Sequence, residues 1–252
     1  MDLILYRAGA GIARIILNRP EKRNALNAEM AAGLRDALQR SAADEAVRVV
    51  LISGAGKDFC AGMDLLALDR GNAASAVEHL ETARKLAEVL LAIRKHPHPV
   101  VAAVQGRALG GGAGIASACD LVLAAESACF GYPEVKIGFV PAMVAALLRR
   151  SVTEKRMFEL LASGESVSAD EAHAIGLINR VLSDEDFAAS VDAYVQGLAE
   201  KSATALTLLK NLLYQTDGMT LEKAIEAGAQ VNALSRTTED AKRGFAGFTK
   251  KS

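Results

Sequence analysis

The run Ala108-Leu109-Gly110-Gly111-Gly112-Ala113-Gly114 restricts this chain more than any other stretch. It follows an apolar, β-type segment, Pro99 to Val104, and leads into a small-residue helical segment, Ile115 to Cys119. Glycines at a strand-to-helix junction let a ligand approach bare backbone N–H groups, which can hold an anion or a developing oxyanion. Two common glycine loops fail on register. A dinucleotide fingerprint G-x-G-x-x-G begun at Gly110 and Gly112 needs a third glycine where Ile115 stands. A phosphate-binding loop needs Lys and then Ser or Thr after its last glycine, but Gly112 and Ala113 follow Gly111. The remaining alternative to a binding site is a helix start packed tightly against a strand.

Around this run the chain alternates between two periodicities. Ala13 to Leu17, Val47 to Ile52, Val100 to Val104 and Leu121 to Ala125 are short apolar runs that read as strands. Between them, Asn27 is a helix N-cap with apolar residues recurring through Leu38, and Ser75 to Ile93 is a long helical pattern. Such alternation predicts an α/β class with strands covered on both faces. From Pro141 onward nearly all of the chain reads as helix: Ala169 to Ala174 ending at Gly176, Asp184 to Glu200, Ala203 to Tyr214, Leu221 to Leu234 and Glu239 to Phe248. This predicts a core over 1–195 and a helical region over 196–252, which docks because no Pro/Gly-rich linker separates them.

Composition narrows the function classes. With 252 residues, 51% of them apolar, a sizeable core is available. A formal net charge of −1 argues against a nucleic-acid partner, and the absence of Trp argues against a base-stacking platform. No apolar run reaches membrane-spanning length and Met1-Asp2-Leu3-Ile4 lacks the basic start of a secretory signal, so a cytoplasmic protein with no membrane partner is expected. Cys60, Cys119 and Cys129 lack metal-ligand spacing and read as reduced, buried thiols. The histidines form no metal motif either: His96 and His98 read as a polar connector, His79 and His173 as surface or capping residues, and no metal site is expected.

Two further loops complement the glycine run. Lys57 to Leu65 follows the strand ending at Ile52, and its small residues Ala61 and Gly62 leave backbone exposed. Two loops of this kind, each after a buried strand, can aim one N–H apiece at a single carbonyl oxygen. The third segment, Gly131-Tyr132-Pro133-Glu134-Val135, sets a carboxylate beside the apolar Ile137-Gly138-Phe139-Val140, where a raised pKa would suit proton transfer. The plain alternative for Glu134 is a surface turn residue paired with Lys136.

Taken together, these segments resemble the crotonase superfamily, the enoyl-CoA hydratase/isomerase family. The resemblance covers nearly the whole chain and rests on Asn18-Arg19-Pro20-Glu21-Lys22-Arg23-Asn24-Ala25-Leu26-Asn27, then Phe59 to Leu65, Ala108 to Gly112, Ala118-Cys119-Asp120, Pro133 to Gly138 and the tail Gly244 to Lys251, in family order. It implies a crotonase-like spiral of ββα turns followed by a helical trimerisation region, assembled as a homotrimer or a homohexamer. It further implies an acyl-CoA thioester substrate, with coenzyme A part of the substrate and no tightly bound cofactor, in fatty-acid or related acyl-CoA metabolism. By position, the N–H groups of Met63 and Gly111 form the oxyanion hole and Glu134 is the catalytic carboxylate. Arg23, Ala25, Ala61, Asp64 and Leu65 line the path of the coenzyme, and Lys250 and Lys251 reach its phosphate.

One departure from the family pattern bears on the reaction. Family hydratases use two glutamates; the second matches Glu134, whereas the first falls on Gly114, leaving a vacant second-carboxylate position. Hydration of a 2-enoyl-CoA is the family's implication. Double-bond isomerisation by Glu134 alone and a non-catalytic acyl-CoA-binding protein are the alternatives. Asp64, Asp69, Glu78 and Glu81 are positioned to replace the missing carboxylate, or the space at Gly114 admits a bulkier acyl group. Asp120, after a short helix, is expected to make structural hydrogen bonds.

Overall fold

The computed structural model describes residues 2–65 and 74–249. Strands β1 (Ile4–Gly9), β2 (Ile12–Leu17), β3 (Val49–Gly54), β4 (Val100–Val104), β6 (Leu121–Ala125) and β9 (Arg180–Leu182) form a six-stranded sheet in the order β1-β2-β3-β4-β6-β9. Only β1 pairs antiparallel; every other neighbouring pair is parallel. A second sheet joins β5 (Arg107–Leu109), β7 (Cys129–Gly131) and β8 (Ser166–Ser168). Single bridges extend its line of pairing, from Ala108 to Cys60 and from Met63 to Leu26.

The apolar strands are buried on both faces, as their sequence requires. Successive side chains of a strand point to opposite sides. Val50, Ile52, Val100, Ala102, Val122 and Ala124 face one core, while Val49, Leu51, Val101, Ala103 and Leu123 face another. The first core is closed by α1 (Ala28–Ala43), α2 (Ala76–Arg94) and α3 (Gly111–Ala118), through Met30, Leu34, Leu90, Ile93 and Ile115. The second is closed by Val191, Val195 and Ala199 of α7 (Phe187–Ala199). The Asn27 side chain caps α1 by accepting from the Met30 N–H at 2.8 Å, and Ser75 and Glu78 cap α2 reciprocally.

Beyond β7 lie α4 (Ala142–Leu148), α5 (Glu154–Ser163), α6 (Ala169–Ala174), α7, α8 (Ala203–Gln215), α9 (Leu221–Thr237) and α10 (Glu239–Thr249). The helical reading of this half misses β8 and β9, three residues each and too short for a period to show. It also misses that β1, β5 and β7 are strands: β1 is an edge strand with mostly exposed side chains toward its end, and β5 and β7 are again only three residues long.

Helix α8 docks through a buried polar cluster. Lys210 donates to Asp120 Oδ2 at 2.7 Å and to the carbonyls of Ile93 and His98 at 3.2 and 3.1 Å. The Tyr214 hydroxyl donates to Asp120 Oδ1, and the Val100 N–H donates to Oδ2 at 2.7 Å. Asp120 is therefore the structural hydrogen-bonding residue expected of it. His96 departs from expectation: it is no surface connector but buried, with Nε2 at 3.0 Å from Ser41 Oγ, and burial lowers its pKa to about 4. His79 and His173 are exposed, as expected. Cys60 and Cys119 are buried free thiols, and Cys129 is a half-buried one. Among the described residues, no helix is long and apolar enough to cross a membrane.

Removing one partner of a buried ion pair strands the other charge. Lys210→Met should therefore destabilise the protein by about 3–5 kcal/mol in urea unfolding. Lys210→Met/Asp120→Asn should recover much of that loss; a double variant no more stable than the single would contradict this account.

Candidate active site

Because β2, β3, β4 and β6 run parallel, the segments that leave their carboxyl ends gather at one edge of the sheet. Backbone hydrogen bonds then lock these segments to one another. Ala61 N donates to Arg23 O at 3.0 Å, Leu26 N to Gly62 O at 2.8 Å, and Asp64 N to Leu26 O at 2.8 Å. Cys60 N donates to Arg107 O at 3.0 Å, Leu109 N to Cys60 O at 2.9 Å, and Gly110 N to Gly131 O at 2.8 Å.

Two buried polar side chains hold the frame in place. Asn24 donates to the carbonyls of Ala55 and Asp58 and accepts from the Arg19 N–H. Asp58 accepts from the Arg107 N–H at 3.0 Å and from its guanidinium at 2.8 and 3.0 Å. Hydrogen bonding to Arg107 lowers the Asp58 pKa.

Within this frame two N–H groups are left over. The bonds made by Gly62 O and Asp64 N both go to Leu26, so the alternating backbone turns the Met63 N–H away from Leu26. Gly111 opens α3, where helix geometry leaves the first N–H groups without intrahelical partners. Among the described residues, neither the Met63 nor the Gly111 N–H has a hydrogen-bond partner. They are close: a Cβ at Gly111 would lie 3.6 Å from Met63 Cγ, and one at Gly62 would lie 3.6 Å from Gly111 N.

Glu134 sits on a 3₁₀ turn, Pro133–Ile137, closed by Gly138 in the left-handed region. Its carboxyl lies against Gly110, where an added Cβ would come within 2.9 Å of Oε1. Gly110 also has φ +49°, so both conformation and space demand glycine there. Glu134 Oε2 is buried and, among the described residues, has no hydrogen-bond partner. Burial raises the pKa of this carboxyl above its ordinary 4.5. Lys136 does not neutralise it, being paired instead with Glu165 at 2.8 Å. The carboxyl is thus partly buried and lies beside two N–H groups without partners among the described residues.

Other residues singled out in the sequence divide clearly. Arg23, Ala25, Ala61 and Asp64 lie together on the locked loops, Arg23 exposed and with φ +52°. Leu65 is exposed beside them. Asp64 is held by the Arg19 guanidinium at 2.7 Å, which ties down the acid otherwise available to replace a missing carboxylate. Glu78 is engaged in the α2 cap and Glu81 is exposed. Asp69, Lys250 and Lys251 lie outside the described residues.

Gly114 carries no carboxylate, and the space beside it is closely packed. A Cβ built there meets Val144 Cγ2 at 2.9 Å and Leu90 Cδ2 at 3.9 Å, because α4 and α2 pack their apolar side chains over the glycine. Space for a bulkier acyl group directly against Gly114 is likewise taken. Sequence reasoning missed Val144, and also Tyr132, whose fully buried hydroxyl lies 3.3 Å from Ser117 Oγ and ties the Glu134 turn to α3. Neither carries a local signal, since each matters through a partner on another element.

The profile of the enoyl-CoA hydratase/isomerase family matches residues 7–252. A Thermus thermophilus protein provisionally named an enoyl-CoA hydratase is 42% identical over 240 residues, covering 95% of each chain. The 1,2-epoxyphenylacetyl-CoA isomerase of Escherichia coli is 32% identical, over 100% of this chain and 97% of that one. Among solved structures, an enoyl-CoA hydratase of Mycobacterium smegmatis superposes with a TM-score of 0.94 at 33% identity, covering 99% of this chain and 96% of its own.

The raised pKa of Glu134 has a consequence for stability. The folded state holds the proton more tightly than the unfolded one, so stability falls as pH rises from 4.5 through the folded pKa. Glu134→Gln removes this dependence. Urea unfolding between about pH 4 and pH 8 should show wild type losing stability relative to the variant as pH increases. Parallel curves would contradict the assignment.

Proposed function

The chain belongs to the enoyl-CoA hydratase/isomerase family, and on that footing we propose that it moves the double bond of an enoyl-CoA thioester with Glu134 as its one proton-transfer group. The observation that carries this reading is the Glu134 carboxyl, buried at Oε2 and set beside Gly110, with the Met63 and Gly111 N–H groups unpartnered nearby. The thioester oxygen accepts from these two N–H groups. The Glu134 carboxylate takes a proton from C2 of a 3-enoyl thioester. The C–H electron pair moves into a dienolate, whose negative oxygen the two donors stabilise. Glu134 returns the proton to C4, and the double bond then lies between C2 and C3. No other reactant is consumed and no cofactor beyond the coenzyme A of the substrate takes part.

Arg23, Ala25, Ala61, Asp64 and Leu65 form the approach for the coenzyme, with Asp64 acting through its ion pair with Arg19. Lys250 and Lys251 are assigned to its phosphate. The helical region 196–252 is assigned to trimer formation, as homotrimer or homohexamer, supported by the exposed Leu209, Leu213, Leu221, Ile225 and Leu234. The reaction fits fatty-acid or related acyl-CoA metabolism in the cytoplasm. Hydration of a 2-enoyl-CoA is the second reading, favoured by the hydratase name of the Thermus thermophilus relative; there Glu134 alone activates the water.

A product assay with a 3-enoyl-CoA and a 2-trans-enoyl-CoA tests the assignment. Wild type should convert the first to the 2-enoyl thioester, and Glu134→Gln should lower that rate by about 10²–10⁴-fold. The acid limb of kcat/KM should lie above pH 4.5, because the base must be ionised and burial raises its pKa. A 3-hydroxyacyl-CoA as the main wild-type product would establish hydration instead. Acyl-CoA binding without turnover of either substrate would overturn both readings.

A further inference from the structure

We propose that Val144 is the specificity-determining residue that keeps this site to a single carboxylate, an inference that rests on the isomerase reading above. Gly110 and Gly114 stand four residues apart, and the Gly114 N–H donates to Gly110 O at 2.9 Å. They therefore stand one helical turn, about 5.4 Å, apart at the start of α3. The Glu134 carboxyl lies over Gly110 and the Val144 methyl over Gly114, each 2.9 Å from where a Cβ would stand. A side chain at position 114 would leave the helix beside Glu134, in the place Val144 occupies.

Val144 is held there firmly. It is 5% exposed, Leu90 of α2 backs the same spot at 5% exposed, and Leu148 anchors the end of α4 at 0%. The neighbour of Gly114 is accordingly a hydrocarbon wall. A water held for attack needs two or more polar partners, and the space where a second acid would stand, over Gly114, is lined by Val144 and Leu90 methyl groups. Proton transfer between C2 and C4 needs no such water, so the wall favours isomerisation and disfavours hydration.

Gly114→Glu alone would collide with Val144, and Gly114→Glu/Val144→Ala gives the new carboxylate its space. In the double variant a water held by two carboxylates adds to a 2-enoyl-CoA: its oxygen bonds to C3, its proton ends on C2, and the C2=C3 π bond is consumed. The ratio of 3-hydroxyacyl-CoA formation to 3-enoyl-CoA isomerisation should rise by about tenfold or more over wild type in the double variant. It should stay near the wild-type value in Gly114→Glu, with Val144→Ala completing the cycle. Equal ratios for Gly114→Glu and the double variant, or no rise in a folded double variant, would overturn the proposal.

Thermal unfolding without substrate provides a second measurement. Gly114→Glu should lower Tm, and adding Val144→Ala should restore part of the loss; strictly additive losses would overturn the packing argument. If the double variant does not fold, Val144→Thr places a hydroxyl at the same spot, and an unchanged product ratio there would count equally against Val144. A wild type that converts neither substrate would defeat the isomerase reading itself, and the Tm cycle would then decide the role of Val144 alone.

Discussion

Parallel pairing of β2, β3, β4 and β6 is the constraint from which the rest of the site follows. Parallel neighbours send their carboxyl ends the same way, so the loops carrying Arg23, Met63, Gly110 and the turn of Glu134 emerge at one edge. The sheet can be parallel because both of its faces are covered, one by α1 to α3 and the other by α7. Pairing alone brings the loops near each other. Their register is set by backbone hydrogen bonds from residue 23 to residue 131, with Asn24 and Asp58 fixing the loops from behind. The geometry of the candidate site is thus largely backbone geometry, which explains why glycines rather than charged side chains crowd it.

The site brings two opposite electrostatic demands into one small volume. Donor N–H groups at Met63 and Gly111 favour negative charge on a bound carbonyl. Burial beside Gly110 disfavours negative charge on Glu134. A carboxyl in that position holds its proton more readily than an exposed glutamate. Lys136, two residues along the turn, does not cancel this arrangement, because it is taken by Glu165. Arg107 and Arg19 are likewise taken, by Asp58 and Asp64, and those two pairs serve the frame.

Long apolar strands and capped helices were legible in the sequence because their signals are local. The runs at 100–104 and 121–125, the Asn27 cap and the helix beginning after Ser75 lie where the periodicities put them, and the run read at 47–52 is the strand at 49–54. The three-residue strands β5, β7, β8 and β9 were not, because such segments take their pairing from neighbours rather than from their own composition. The same distinction explains His96. A histidine just before a proline reads as connector, yet Ser41, fifty-five residues earlier, closes over it and leaves it neutral in the interior.

By itself, the sequence determined the α/β class, the family and the three loops, since each is written in contiguous residues whose order carries the information. Tertiary structure alone decided what stands at Gly114. Glycine in a sequence marks a missing side chain and says nothing of what enters the space; packing of α4 and α2 filled it with Val144 and Leu90. It also decided that Asp64 belongs to Arg19 and Asp120 to Lys210. An isolated acid such as Asp64 reads as a candidate for catalysis until the chain folds and shows which cation, forty-five residues away, it must neutralise. Burial makes that choice, because a charge removed from water is stable only with a partner.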